Sequence, residues 1–138
     1  MPVKFQDVLI AFEYVSGEDI GLSHAWLNRE TGETYCHSSR YDDREELPDD
    51  IEDEKYTAIP HKKKLSLGKP LVLRFVREHL PDDLDEACDL FRRKGAYARF
   101  RNLLARRRAV DRWRDFSAKA VEKALREWCA ENAIDLVD

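Results

Sequence analysis

Phe5, Val8, Leu9, Phe12 and Val15 recur at steps of three and four residues, so they fall on one stripe of a helix. The spacing predicts a short helix that ends at Ser16-Gly17. Residues 22–29 and 34–39 are short runs holding Trp, Tyr, Thr and Cys on either side of Glu30-Thr31-Gly32-Glu33, the pattern of a β-hairpin. A two-residue turn at Thr31-Gly32 would force β-branched Thr31 to positive φ, which is costly. A three-residue loop with Gly32 left-handed is expected instead. That register pairs Arg29 with Glu33, Leu27 with Tyr35 and Ala25 with His37, and it sets His24 beside Trp26 and Cys36 on one face. In residues 55–60, Tyr56, Ala58 and Pro60 alternate with Thr57 and Ile59, which predicts a third strand.

Beyond the basic run His61-Lys62-Lys63-Lys64 the pattern turns helical. Ser66 is positioned to cap, Pro70 suits a first helical turn, and residues 71–80 continue the helix until Pro81 stops it. Carboxylates open the next helix in the stretch Pro81-Asp82-Asp83-Leu84-Asp85-Glu86, where they complement the positive helix end. Leu84, Ala87, Cys88 and Phe91 form its apolar face. Gly95 interrupts it, and Ala96, Phe100, Leu103 and Leu104 resume the stripe. Val110, Trp113, Ser117, Ala120, Val121, Ala124 and Trp128 align on a last helix that starts near Val110. Together these predict an α+β fold: a short N-terminal helix and a small antiparallel sheet packed with about three C-terminal helices. One domain over 1–138 is expected, with a change of character near residue 61. Phe91, Phe100, Leu104, Trp113, Ala120 and Trp128 are expected to share one buried cluster.

Charge adds what periodicity leaves out. The net charge of −4 hides a division: residues 1–60 hold 5 Lys+Arg against 15 Asp+Glu, and residues 61–138 hold 19 against 13. Residues 42–54 carry nine acids against Arg44 and read as a loop interrupted by Pro48. Residues 92–114 carry ten Lys+Arg against Asp111 alone. Such opposite charge points to a basic surface for an anionic partner, or to two segments that attract one another, the acidic loop lying as a strap over the basic helix. The basic candidates are Arg92, Arg93, Lys94, Arg99, Arg101, Arg106, Arg107 and Arg108. If one unbroken helix carries them, Arg92, Arg99, Arg101 and Arg106 rim the apolar stripe centred on Phe100. Their stems would then cover the core edge while their heads stay solvated or paired. Alternatively their charge neutralises phosphates, with Tyr97 or Trp113 stacking on bases.

Other chemistry finds little support. Cys36, Cys88 and Cys129 are three widely spaced cysteines with no CxxC pair, as in reduced cytosolic chains. No run of apolar residues is long enough for a membrane span, and an acid interrupts the N-terminal stretch where a signal peptide stays apolar. A cytoplasmic protein with no membrane partner is therefore expected. The acidic loop lacks the central glycine and alternating acids of an EF-hand loop. Cys36 and His37 are neighbours on a strand and leave opposite faces, and a zinc site needs three or four converging ligands, so no metal is expected there. His61 precedes three lysines and His79 closes a helix; neither takes a chemical role. There is no phosphate-binding glycine loop, HExxH or GxSxG, and no catalytic residue or cofactor is assigned.

The order of residues also resembles a known family. Thr31-Gly32-Glu33 in a hairpin, the acidic stretch 46–53, Tyr56-Thr57-Ala58-Ile59-Pro60, Gly95-Ala96-Tyr97 with Arg99, Phe100 and Arg101, Trp113 with Phe116, and Glu127-Trp128 together resemble the bacterial uncharacterised protein family one-five-eight. Tyr97 stands where that pattern favours Phe, and Cys129 where it favours Leu or Ala. The resemblance spans roughly Phe12 to Ile134 and implies one α+β domain of a bacterial cytosol. It brings no activity and no residue role. The function expected from the sequence is a non-catalytic binding or adaptor module engaging a protein partner through charged surfaces. The alternative is a DNA- or RNA-binding protein that uses residues 92–114.

Overall fold

The computed structural model describes residues 2–17, 20–38 and 47–137. Five α-helices, a three-stranded antiparallel sheet and a short parallel strand pair are present among them, an α+β fold. They gather into two compact units, one of Met1–Leu65 with Glu122–Asp138 and the other of Ser66–Val121. The second unit begins at Ser66, close to where the sequence patterning changes, and the first also takes in the C-terminal residues from Glu122.

In the first unit, β1 (Val3–Lys4) leads straight into α1 (Phe5–Ser16). Val8, Ala11, Phe12 and Val15 are buried on α1, as their spacing predicts. The sheet has the order β3 (Thr34–Ser38), β2 (Ser23–Asn28), β4 (Tyr56–Ala58), with β2 central and antiparallel to both neighbours. α1 lies against β2 and β3. Ser23, Ala25 and Leu27 alternate along β2 and are buried, so this is the face that meets the helix. β1 pairs in parallel with β5 (Leu136–Val137), and Leu125, Cys129 and Ile134 are buried in the same unit.

The hairpin register differs from expectation by one residue. Leu27 pairs with Thr34, Trp26 with Tyr35, Ala25 with Cys36 and His24 with His37. The cause is Asn28. Its Oδ1 accepts from the backbone N–H groups of Glu30 (2.9 Å) and Thr31 (3.3 Å), while its own N–H donates to the Glu33 carbonyl (2.8 Å). This side-chain bonding draws four residues, Arg29 to Gly32, into the loop rather than three. Gly32 does take the left-handed conformation, φ 79°. Because side chains alternate, a slip of one residue changes which partners share a face. His24 and His37 now stand directly opposite one another, and Cys36 lies on the other face opposite Ala25.

The second unit is helical. α2 (Lys69–His79) has Pro70 in its first turn, and its N-terminal carbonyl cap is Gly68, which accepts from Leu71 and Val72, rather than Ser66. A 3-10 turn at Pro81–Asp83 leads into α3 (Leu84–Leu90), and Gly95 at φ 77° separates α3 from α4 (Ala96–Arg106). Helix α5 (Val110–Glu131) starts in this unit and ends in the first. Val72, Phe75, Val76, Leu80, Ala87, Phe100, Leu103, Leu104 and Ala109 form the core, with Phe91 and Trp113 packed on it partly buried. Trp113 meets Phe75 and Phe100 edge-on at 5.3 and 5.0 Å between ring centres. Ala120 and Trp128 are not part of this cluster, contrary to the stripe reading, because Trp128 falls in the part of α5 that belongs to the first unit.

Candidate functional sites

The structure breaks the basic stretch into pieces. Arg92, Arg93 and Lys94 lie in the turn between α3 and α4, Arg99 and Arg101 lie on α4, Arg106 ends it, and Arg107 and Arg108 form the junction to α5. The unbroken helix that would have aligned Arg92, Arg99, Arg101 and Arg106 is not formed, because left-handed Gly95 starts a new helix. All eight side chains are exposed.

Three of them are taken up by acids of their own unit. Arg107 grips Asp83 with two bonds, Nε to Oδ2 at 3.0 Å and Nη2 to Oδ1 at 2.9 Å. Arg106 Nη2 donates to Glu86 Oε1 at 2.8 Å, and Arg92 Nη1 approaches Asp89 Oδ1 at 3.3 Å. The Asp83 carboxylate holds the Arg107 guanidinium above its usual pKa. Thus the acids at the start of α3, which the sequence reading gave to the helix end, also serve the basic stretch. Arg93, Lys94, Arg99, Arg101 and Arg108 have no ion pair among the described residues. Tyr97 rises from α4 beside them, 39% exposed, with its ring edge-on to Phe91 at 5.5 Å. Burial of its inner side pushes the phenol pKa up.

The acidic segment is described only from Leu47 onward; residues 42–46 lie outside the described residues. From Pro48 to Tyr56 it folds into successive turns, with Ile51 donating to Pro48, Asp53 to Asp50 and Tyr56 to Asp53 through their backbones. Lys55 Nζ meets Asp50 at 2.7 Å and lies 5.5 Å from the Tyr56 ring centre. Asp50 is held below the usual carboxylate range by the bond from Lys55, and Lys55 is correspondingly raised.

These turns and the sheet face opposite α1 enclose a cleft of roughly 690 Å³. Sequence reasoning missed it, because the signal lies in the hairpin register. Only the observed pairing brings His24, Trp26 and His37 to one face with Tyr56 and Ala58 of β4. His24 and Trp26 stack at 5.8 Å. No group of three or more His, Cys, Asp or Glu side chains is arranged to hold a metal among the described residues. The cysteines Cys36, Cys88 and Cys129 form no disulfide, and burial pushes the Cys129 thiol up to about 11. No helix among the described residues is long and apolar enough to cross a membrane.

In comparisons with known proteins, no family model, no curated protein and no solved structure matches the chain.

Proposed function

We propose that the chain is a non-catalytic binding module that engages a protein partner through the charged surface of its second unit. One observation carries this reading: the surface is of mixed sign. Arg93, Lys94, Arg99, Arg101 and Arg108 keep their charge available, while Glu86, Asp83 and Asp89 already occupy Arg106, Arg107 and Arg92. Asp82 and Asp85 add exposed carboxylates beside them in sequence. A nucleic acid presents phosphates of a single sign, so interleaved carboxylates weaken it as a partner. An acidic protein surface can place its own cations against those carboxylates, and complementary patterns of this kind set partner choice and orientation. The reading takes the protein to belong to a bacterial cytoplasm, in keeping with its unlinked cysteines.

The test compares two measurements on the intact chain. Anisotropy titrations with labelled duplex DNA and single-stranded RNA at 50 to 200 mM salt should show only weak, non-specific binding. A photo-crosslinker in place of Asn102, exposed on α4, should capture a defined partner in cells of the source organism, and the capture should vanish in an Arg99→Glu, Arg101→Glu variant. Tight nucleic-acid binding, falling steeply with salt and lost in the same variant, would replace the protein partner with DNA or RNA.

A further inference from the structure

The cleft of the first unit has the chemistry of a cation site. Its floor is the open sheet face, with the stacked pair His24 and Trp26 on β2 and Tyr56 on β4. Its wall is the turn segment, which contributes Asp49, Ile51 and Glu52. Aromatic faces carry negative charge density, and a cation over Trp or Tyr is attracted electrostatically. Asp49 and Glu52 are exposed and form no ion pair among the described residues. No lysine or arginine is among the described residues that line the cleft.

The neighbouring side chains already show this form of recognition at work. The Lys55 ammonium rests between the Asp50 carboxylate, 2.7 Å away, and the Tyr56 ring, 5.5 Å from its centre. Asp49 and Glu52 flank Asp50 in the same turns, and the Tyr56 ring lines the cleft. The cleft brings the same kinds of group together, aromatic rings and carboxylates, with no Lys or Arg among its described lining residues. The volume also decides between occupants. About 690 Å³ lies within the range of roughly 300–1,000 Å³ typical of ligand sites, far larger than a bare ion needs.

We propose that this cleft binds an arginine side chain presented by a basic peptide segment of a partner protein. Arginine fits better than lysine because its flat guanidinium stacks on an aromatic ring while its donor fork engages a carboxylate with two bonds. Trp26 or Tyr56 supplies the ring and Asp49 or Glu52 the carboxylate. Leu47, Pro48 and Ile51 offer apolar surface to the residues on either side of the arginine. The first unit as a whole favours such a partner: it holds 10 Lys+Arg against 20 Asp+Glu, a net of −10. This site lies in a different unit from the surface proposed above, and neither proposal depends on the other.

The experiment follows the indole N–H resonance of Trp26 in the full chain, assigned with Trp26→Phe, during titration with acetyl-Gly-Arg-Gly-amide. The Lys and citrulline versions of the peptide and guanidinium chloride, all at matched ionic strength, are the comparison probes. Saturable shifts are expected with the Arg peptide. Binding should be weaker with Lys and absent with citrulline, which keeps the shape and loses the charge. Asp49→Asn combined with Glu52→Gln should weaken the Arg peptide by about tenfold or more, the loss of a charge-assisted pair. Both substitutions are in exposed turns, so the fold should survive, as the unchanged remainder of the spectrum will show. Arg99→Glu with Arg101→Glu, which tests the second unit, should leave this titration unchanged. Equal binding of the citrulline peptide, or full affinity in the double variant, would overturn the cation site. Guanidinium chloride binding as tightly as the peptide would overturn the peptide as its source.

Discussion

Arg107 and Asp83, 24 positions apart in sequence, meet in a two-bond pair whose carboxylate is buried, 8% exposed, while the guanidinium is half open to water. The asymmetry makes the acid the vulnerable partner. Removing Arg107 leaves a buried carboxylate without its donors, and that penalty exceeds the worth of the bond itself. The Arg106–Glu86 pair beside it is exposed at both ends and contributes about 0–1 kcal/mol. Arg107→Ala should therefore lower the melting temperature clearly more than Arg106→Ala. Asp83→Asn, which keeps the shape but weakens the bonds, should fall between them. Equal effects of Arg107→Ala and Arg106→Ala in thermal denaturation followed by circular dichroism would contradict the assignment.

The second-unit core gives a different ordering. Phe100 is fully buried, whereas Trp113 touches Phe75 and Phe100 with one edge and remains partly open. Phe100→Ala should cost about 3–5 kcal/mol, and Trp113→Ala about 2–4 kcal/mol because less of its surface leaves water. Trp128→Ala acts in the other unit, so its effect should be additive with Trp113→Ala. Urea denaturation of the two single variants and the double variant reads both the ordering and the additivity.

Element types were legible in the sequence where periodicity was strong. α1, the hairpin, β4 and the break at Gly95 all sit where apolar spacing and turn residues put them. Pairing detail was not legible, because the loop length depends on Asn28 Oδ1 bonding to Glu30 and Thr31, a side-chain choice that no hydrophobic pattern encodes. The cleft was lost with it, since His24 and His37 share a face only in the observed register. Similarly, the stripe from Val110 to Trp128 is a true helix face, but periodicity along α5 cannot say that its two ends belong to different units. The eight basic candidates were visible as composition. Which of them are neutralised depends on the α3 acids, and that is a tertiary fact.

The Asp50–Lys55 pair sets a pH window for the turns that wall the cleft. Asp50 titrates below its ordinary 3.8, so its contribution is present above that value and is lost as pH falls through the lowered pKa. Lys55 titrates above its ordinary 10.5, so its contribution is present below that value and is lost as pH rises through the raised pKa. Between these limits the turns should be uniformly ordered. Amide resonances of residues 50–56 should hold steady from pH 5 to 9 and move together only beyond either limit. In Lys55→Met the movement on the acid side should begin at higher pH, because Asp50 then loses the cation that holds its pKa down. An unchanged acid-side midpoint in Lys55→Met would show that the pair does not set it.

Two helix ends carry a side chain where glycine is the usual choice. Arg108 follows α4 at φ 52°, with Ala109 N–H donating to the Leu104 carbonyl at 2.8 Å, and Ala133 follows α5 at φ 57°, with Ile134 N–H donating to the Cys129 carbonyl at 2.8 Å. Both are left-handed terminations of the kind that close a helix by a bond running back five residues. A side chain there costs roughly 1–2 kcal/mol, part of which glycine returns as greater freedom of the unfolded chain. Ala133→Gly and Arg108→Gly should each stabilise the protein by about 0.5–1 kcal/mol. The two differ in what else they remove. Ala133 contributes only a methyl group, whereas Arg108 is one of the unpaired cations of the proposed partner surface, and strain retained at such a position is expected where the side chain is needed for something other than stability. Arg108→Gly should thus raise the melting temperature while reducing capture of the partner by the crosslinker at Asn102, and Ala133→Gly should raise it with capture unchanged. If both variants are stabilised and both capture the partner as well as the parent chain, Arg108 lies outside the partner surface.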